Sequence, residues 1–328
     1  MPPSYHASGA KAKSALFLLS AGLPGLAEPL PVGTDRGKTL VEPLLAQDVA
    51  IIPALGAEIA DRAPFIPLVW GKLPLHGKEL QPLRAGEALV CGECSSSLDV
   101  AMHLALAGLL PEWSSVLAVS QRGGRGQLRR EWSSPPGNIY AALRLPDHGL
   151  FSGWNAALTV GWMLVLAFRA FGLEMFLKWP NDLLLCCDDA WGKAGGILLE
   201  ERGGILLAGV GINVSSAPDL SEMRPEGAMR AIALREAGYD FSVLGLWEDL
   251  VQYGQSLYID WSAQKKGGVD LRSAEAVLAW NNRRVIVSEA GVGEYCGLLK
   301  GLDADGRLRL AVQSGEIFLT SGMIRLMG

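Results

Sequence analysis

The chain has 328 residues, 49% of them apolar and 19% charged, with a formal net charge of −5. That length allows two or three domains with a large core, and the composition excludes a disordered chain. The acidic balance argues against general nucleic-acid binding, which needs a basic face.

Residues 1–85 are the least legible part. Proline recurs from Pro24 to Pro82 and keeps regular elements short. A short helix is predicted over Leu45 to Ile59 and a strand over Phe65 to Trp70, with no helix-turn-helix pattern. Ala15 to Leu26 mimics a signal peptide after Lys11 and Lys13, but Pro24 interrupts it and no small-x-small cleavage site follows. No run approaches the roughly 18 apolar residues of a membrane span. Of the five cysteines, Cys91 and Cys94 have half of a zinc-site spacing, yet no second pair and no His-x-x-x-His accompanies them. No metal site is expected, and reduced thiols in a cytoplasmic protein are the simpler account.

Ala88–Cys91 reads as a strand entering Ser95-Ser96-Ser97, which can cap a helix over Leu98 to Leu110 or donate hydroxyls to a ligand. A strand at Val116–Val119 then leads into Gln121-Arg122-Gly123-Gly124-Arg125-Gly126-Gln127-Leu128-Arg129-Arg130-Glu131-Trp132. Three glycines in four residues let the backbone approach a ligand closely, and four arginines in nine positions can share charge with carboxylates or phosphates. Taken alone, this is either an exposed basic turn or a loop that closes over a small anion. Gly137–Leu145 alternates like another strand, and Phe151–Phe171 reads as a deeply buried helix.

Met175-Phe176-Leu177 is an apolar strand that delivers Lys178-Trp179-Pro180-Asn181-Asp182 before a second apolar run. Lysine at the edge of a buried strand is costly unless it meets an anion. Strands follow at Gly195–Glu200 and Ile205–Val214, after a break at Gly192–Gly196 that carries Lys193. The second contains Gly209-Val210-Gly211-Ile212-Asn213. Singly, Trp179-Pro180 reads as core packing, Asn213 as a satisfied strand-end amide and Lys193 as solvated; their joint occurrence points to a site. Phe241–Trp261 is an amphipathic helix and Gly267-Gly268 a linker. Short strands at 285–287, 294–299, 308–312 and 316–320, with turns at Ala290-Gly291 and 303–306, read as a small antiparallel barrel.

Together these residues resemble the biotin–protein ligases. Three motifs carry the resemblance: Gly124-Arg125-Gly126 with Arg130 and Trp132; Lys178-Trp179-Pro180-Asn181-Asp182 followed by Lys193-Ala194-Gly195-Gly196; and Gly209-Val210-Gly211-Ile212-Asn213. The match runs from about residue 86 to the end. It implies an α+β fold of the class II synthetase-like biotin/lipoate ligase type: a central mixed sheet flanked by helices, with a C-terminal SH3-like barrel. The implied division is an N-terminal extension over 1–85, a catalytic domain over 86–270 and the barrel over 275–328.

The implied activity makes biotinyl-5′-AMP from biotin and ATP, with Mg²⁺, and transfers biotin to a lysine of a biotin carboxyl carrier protein domain. Ser96, Ser97 and Gln121 would hold the ring end of biotin, and Arg125 with the amides of Gly124, Gly126 and Gln127 would close over the adenylate. Lys178 and Lys193 would meet carboxylate and phosphates, and Asn213 the nucleotide. Arg130, Asn181, Gly195, Gly196, Gly209 and Gly211 complete the implied binding set, and Trp132 would pack in the loop once it is ordered around ligand. Fixed cations suit a step that brings two anions together, and Asp182 would orient the attacking amine or take its proton.

Two departures stand out. Gln127 replaces the family's usual arginine, and Leu98 replaces the usual asparagine after the serines. The acidic balance and the lack of a helix-turn-helix pattern argue against a nucleic-acid partner, the lack of a long apolar run argues against a membrane, and a homodimer is left open. Two alternatives remain: a lipoate or octanoate ligase or transferase on the same scaffold, and a non-catalytic biotin-binding homologue.

Overall fold

The computed structural model describes residues 83–127, 130–146, 149–151, 153–187, 190–218, 229–264, 269–289 and 291–327, with short strands at 15–17, 34–35 and 38–39. The helix over Leu45–Ile59, the strand over Phe65–Trp70 and the linker at Gly267-Gly268 lie outside the described residues. Ala15–Phe17, inside the stretch that mimics a signal peptide, is instead a strand (β1), with β2 at Thr34–Asp35 and β3 at Lys38–Thr39.

The main sheet uses β1 and seven further strands. These are β4 (Ala88–Cys94), β5 (Ser115–Gln121), β6 (Ile139–Leu145), β7 (Met175–Lys178), β8 (Asp182–Cys187), β9 (Ala190–Arg202) and β10 (Ile205–Ile212). Their order is β1-β4-β5-β6-β10-β9-β8-β7. β1, β4 and β5 are parallel, whereas β5–β6, β6–β10, β7–β8 and β8–β9 pair antiparallel. The fold is therefore a mixed central sheet with flanking helices. Buried apolar runs such as Ile139-Tyr140-Ala141-Ala142-Leu143 explain the strand choice, since strands covered on both faces lose the alternation of half-exposed ones.

Two compact units divide the chain: Met1–Asp147, Ile197–Ala217 and Ala233–Gln252 in one, and His148–Gly196, Pro218–Ile232 and Tyr253–Gly328 in the other. In the first, helix α1 (Ser97–Leu106) packs on β5, β6 and β10. It ends four residues before Leu110, the end read from its apolar pattern. Gly108 takes a left-handed conformation (φ 73°), and Leu109 N–H reaches back to the Leu104 carbonyl at 2.9 Å, closing the helix in a Schellman turn. The hydroxyl cap expected from the serines is also replaced. Ser96 sits at the N-cap without a side-chain bond, and Gln121 Oε1 of β5 accepts the Ser97 N–H at 2.8 Å instead. Trp247 of helix α3 (Val243–Ala263) is fully buried and donates its indole N–H to Ser115 Oγ at 2.9 Å.

In the second unit, helix α2 (Ala156–Ala170) packs on β7. It begins later than Phe151, which lies in a separate 3₁₀ turn, because Gly153 takes a left-handed backbone (φ 89°) between the two. The second half of α3 stacks Tyr258 on Phe151 and Trp261 on Trp162, with centroids at 5.5 and 4.5 Å. Such pairs contribute about 0.5–1.5 kcal/mol beyond their buried area.

The C-terminal strands are β11 (Arg284–Glu289), β12 (Gly293–Leu302), β13 (Leu308–Val312), β14 (Gly315–Leu319) and β15 (Met323–Leu326). They form an open antiparallel sheet in the order β14-β13-β12-β11-β15, not the closed barrel expected from their turns. β15, missed in the sequence, follows β14 by three residues yet pairs with β11 at the opposite edge.

Candidate functional site

The β7–β8 hairpin places the first group of charges. Lys178 ends β7, Asp182 opens β8, and the two pair across a tight connection through the cis Trp179–Pro180 bond and buried Asn181. Trp179 is fully buried and donates its indole N–H to the Gly306 carbonyl at 3.1 Å, anchoring the turn.

Lys193 arrives from β9. Leu183 faces Gly195 and Leu184 faces Lys193, so Ala194 is an extra residue in the ladder. The stretch read as a break between strands is a β-bulge within one long strand, a device that re-aims side chains. Gly195 and Gly196 continue that strand, Gly196 opposite Asp182. The Lys193 backbone is clamped on both sides: its N–H donates to the Arg230 carbonyl at 2.8 Å, and its carbonyl accepts the Ile232 N–H at 3.0 Å.

The side chains converge. Lys193 Nζ lies 2.6 Å from Asp182 Oδ1, and Lys178 Nζ lies 3.1 Å from Oδ2. Burial pushes the Asp182 carboxyl up, but the ammonium groups of Lys193 and Lys178 outweigh burial and hold it below the usual carboxylate range. One largely buried carboxylate is thus shared by two cations.

The glycine–arginine loop forms the second group. Trp132 N–H donates to the Gly124 carbonyl at 2.9 Å, and Gly126 N–H to that of Arg130 at 2.8 Å, so the loop folds back on itself. A Cβ on Gly124 would collide with the Trp132 carbonyl and Ser134 Oγ. Gln121 bridges the base: besides accepting from Ser97 N–H, its amide donates to Ser134 Oγ at 2.9 Å. Ser96 and Ser97 are buried beside it. Arg125 pairs with Asp99 at 2.8 Å and Glu200 at 3.0 Å. Gln127 and Arg130 are exposed.

At β10, a Cβ on Gly209 would lie 2.8 Å from Leu98, and one on Gly211 would lie 2.6 Å from the Trp132 ring. Both glycines make room for apolar side chains of α1 and the loop. Leu98, the departure from the family pattern, is what Gly209 accommodates.

Asn213 is buried just beyond β10, and its carbonyl accepts the Leu234 N–H at 2.8 Å. The following turn is held by Asn138, which the motif reading missed. Its Oδ1 accepts N–H groups of Val214, Ser215 and Ser216 at 2.8–3.2 Å, and its amide donates to Tyr140 Oη at 3.0 Å. Burial pushes the Tyr140 hydroxyl up, although the bond from Asn138 opposes it. A lone Asn at a strand start carries little signal in sequence. Asp99 and Glu200 were missed for a related reason, since their partner Arg125 is remote in the chain.

The structure therefore joins Lys178, Asp182 and Lys193 in one cluster, and Ser97, Gln121, Gly124, Trp132 and Gly211 around the loop base. Arg125, expected to close over the adenylate, pairs with Asp99 and Glu200.

Comparison with known proteins supplies the class, a protein ligase of the biotin/lipoate type. The biotin/lipoate A/B protein ligase family model matches residues 106–216. A biotin–[acetyl-CoA-carboxylase] ligase of Paracoccus denitrificans is 32% identical over 216 residues, covering 61% of this chain and 85% of that protein. A bifunctional ligase/repressor BirA of Bacillus spizizenii is 28% identical over 252 residues, 74% of each. The biotin protein ligase of Aquifex aeolicus, solved with biotin and ATP, shares the fold: TM-score 0.61 at 21% identity, over 73% of this chain and 99% of that one. The chain belongs to the biotin–protein ligase family.

Proposed function

We propose that this chain is an ATP-dependent biotin–protein ligase, which forms biotinyl-5′-AMP with release of pyrophosphate and then acylates a lysine of a biotin carboxyl carrier protein domain. The observation that carries this reading is the pair of ammonium groups fixed on one largely buried carboxylate. A biotin carboxylate attacking an α-phosphate concentrates negative charge, and fixed cations in a largely desolvated place lower that barrier most. Lys178 and Lys193 meet the carboxylate and phosphates, while Ser96, Ser97 and Gln121 bound the biotin end. Mg²⁺ enters with the nucleotide phosphates.

Asp182 serves to place the lysines and to orient the acceptor amine. Its lowered proton affinity makes it a poor base for removing a proton. The loop from Gln121 to Trp132 covers the adenylate and excludes water, with Arg125 exchanging its carboxylate partners for the phosphate. We read the C-terminal open sheet as the family's SH3-like module and place the activity in the cytoplasm. No helix among the described residues is long and apolar enough to cross a membrane.

The test is incubation with ATP, Mg²⁺, biotin and an apo-carrier domain, with lipoate in parallel. The expected result is a mass shift of the carrier by one biotinyl group. A lipoyl shift instead would move the chain to the lipoate branch, and no shift with either acid would favour a non-catalytic homologue.

A further inference from the structure

We propose that Trp280 is a positioning residue for Lys178, holding the ammonium against its indole face without neutralising it. The proposal rests on the reading of Lys178 as a cation that meets the reacting anions. Lys178 Nζ lies 5.7 Å from the Trp280 ring centroid, within the roughly 6 Å over which a cation is attracted to an aromatic face. The segment carrying Trp280 is tied to the same strand: Ala279 N–H donates to the Leu177 carbonyl at 2.8 Å, one residue before the lysine. The Trp280 ring also packs against Trp191, the two nearly perpendicular at 6.1 Å, and Trp191 in turn meets Phe176 of β7 at 5.0 Å.

Two features of Trp280 are locally unfavourable. Its backbone is left-handed (φ 62°), a conformation bulky residues seldom adopt, and its buried indole N–H finds no acceptor among the described residues. Strain of this kind persists where the surroundings over-determine it, and it clusters at functional sites. What the site gains is a large ring face over an ammonium that is itself buried.

The choice of an aromatic group has an electrostatic consequence. Asp182 already faces two ammonium groups. A second carboxylate in the place of Trp280 would fix Lys178 equally well, but it would cancel the charge that an incoming anion needs. A ring face restrains the ammonium and leaves its charge and most of its N–H donors to the ligand.

The test uses the full chain with Trp280→Phe, Trp280→Leu and Trp280→Met, each checked for folding by thermal melting. Pyrophosphate binding is measured by calorimetry and biotin-dependent ATP–pyrophosphate exchange by kinetics, with and without Lys178→Ala. Trp280→Leu and Trp280→Met should weaken pyrophosphate binding and lower kcat by about 3- to 30-fold, with KM for biotin unchanged. Trp280→Phe should retain most of both. On the Lys178→Ala background, Trp280→Leu should add no further loss of pyrophosphate binding. Wild-type behaviour of the folded Leu and Met variants would overturn the proposal, and so would a loss as large without Lys178 as with it. A wild-type chain that shows no biotin-dependent exchange would sink the ligase reading alone, because the pyrophosphate cycle judges Trp280 either way.

Discussion

Around Asp182 the paired side chains are 10–25% exposed, whereas around Arg125 they are 33–38% exposed. The first group is held by elements with no slack: a short hairpin, a bulge, and a backbone clamp on each side of Lys193. The second hangs on a loop closed by a few backbone hydrogen bonds and by ion pairs open to water. Exposed pairs contribute about 0–1 kcal/mol, and breaking a buried one costs about 3–5 kcal/mol. The difference teaches how labour is divided. On the proposed reading, the charges that meet the reacting anions are the less exposed and more firmly held ones, and the loop proposed to cover the adenylate is held by exposed bonds that exchange easily.

The contrast can be broken from either side. Asp182→Ala should have the largest effect, about 3 kcal/mol in urea denaturation, because it leaves the buried Lys178 ammonium and the partly buried Lys193 ammonium without their carboxylate. A value within error of wild type would show that the cluster is not fixed by this pair. Gly211→Ala comes next, at about 1–3 kcal/mol, because the new methyl group meets the Trp132 ring. Adding Trp132→Ala should recover most of that loss, and a failure to recover would place the clash elsewhere.

The acid limb of the stability curve separates the two regions as well. Asp182 titrates below its unfolded value, so its contribution is complete above about pH 4 and is lost as pH falls through the folded value. Asp182→Asn should flatten the decline of stability on that limb, and an unchanged slope would contradict the shift. Arg125→Ala should have the smallest effect on stability, under about 1 kcal/mol, since both its carboxylate partners are about a third exposed. A loss of several kcal/mol would mean that the loop is as rigid as the lysine cluster.

Much of this was legible in the sequence because local chemistry and global fold agree. Lys178-Trp179-Pro180-Asn181-Asp182 announces a strand, a turn and a second strand, and those elements are found there. Ala194 was unreadable because a bulge and a strand break use the same glycine-rich vocabulary, and only the partner strand tells them apart. The serine run suggested a hydroxyl cap because such caps are local; Gln121 supplies the cap from 24 residues away. Gly209 and Gly211 were named for the implied binding set, and their close fit to Leu98 and the Trp132 ring was not readable, because it depends on which side chains pack against the strand. Asn138 and Trp280 were silent for the same reason, as their partners are set by tertiary packing rather than spacing.

Biotin-dependent ATP–pyrophosphate exchange by Lys178→Ala tests the proposed role of the cation pair most directly. The account predicts a folded protein whose exchange has fallen by at least about 10²–10³-fold, the scale of removing one preorganised charge-stabilising group. Near-normal exchange in that folded variant would contradict it.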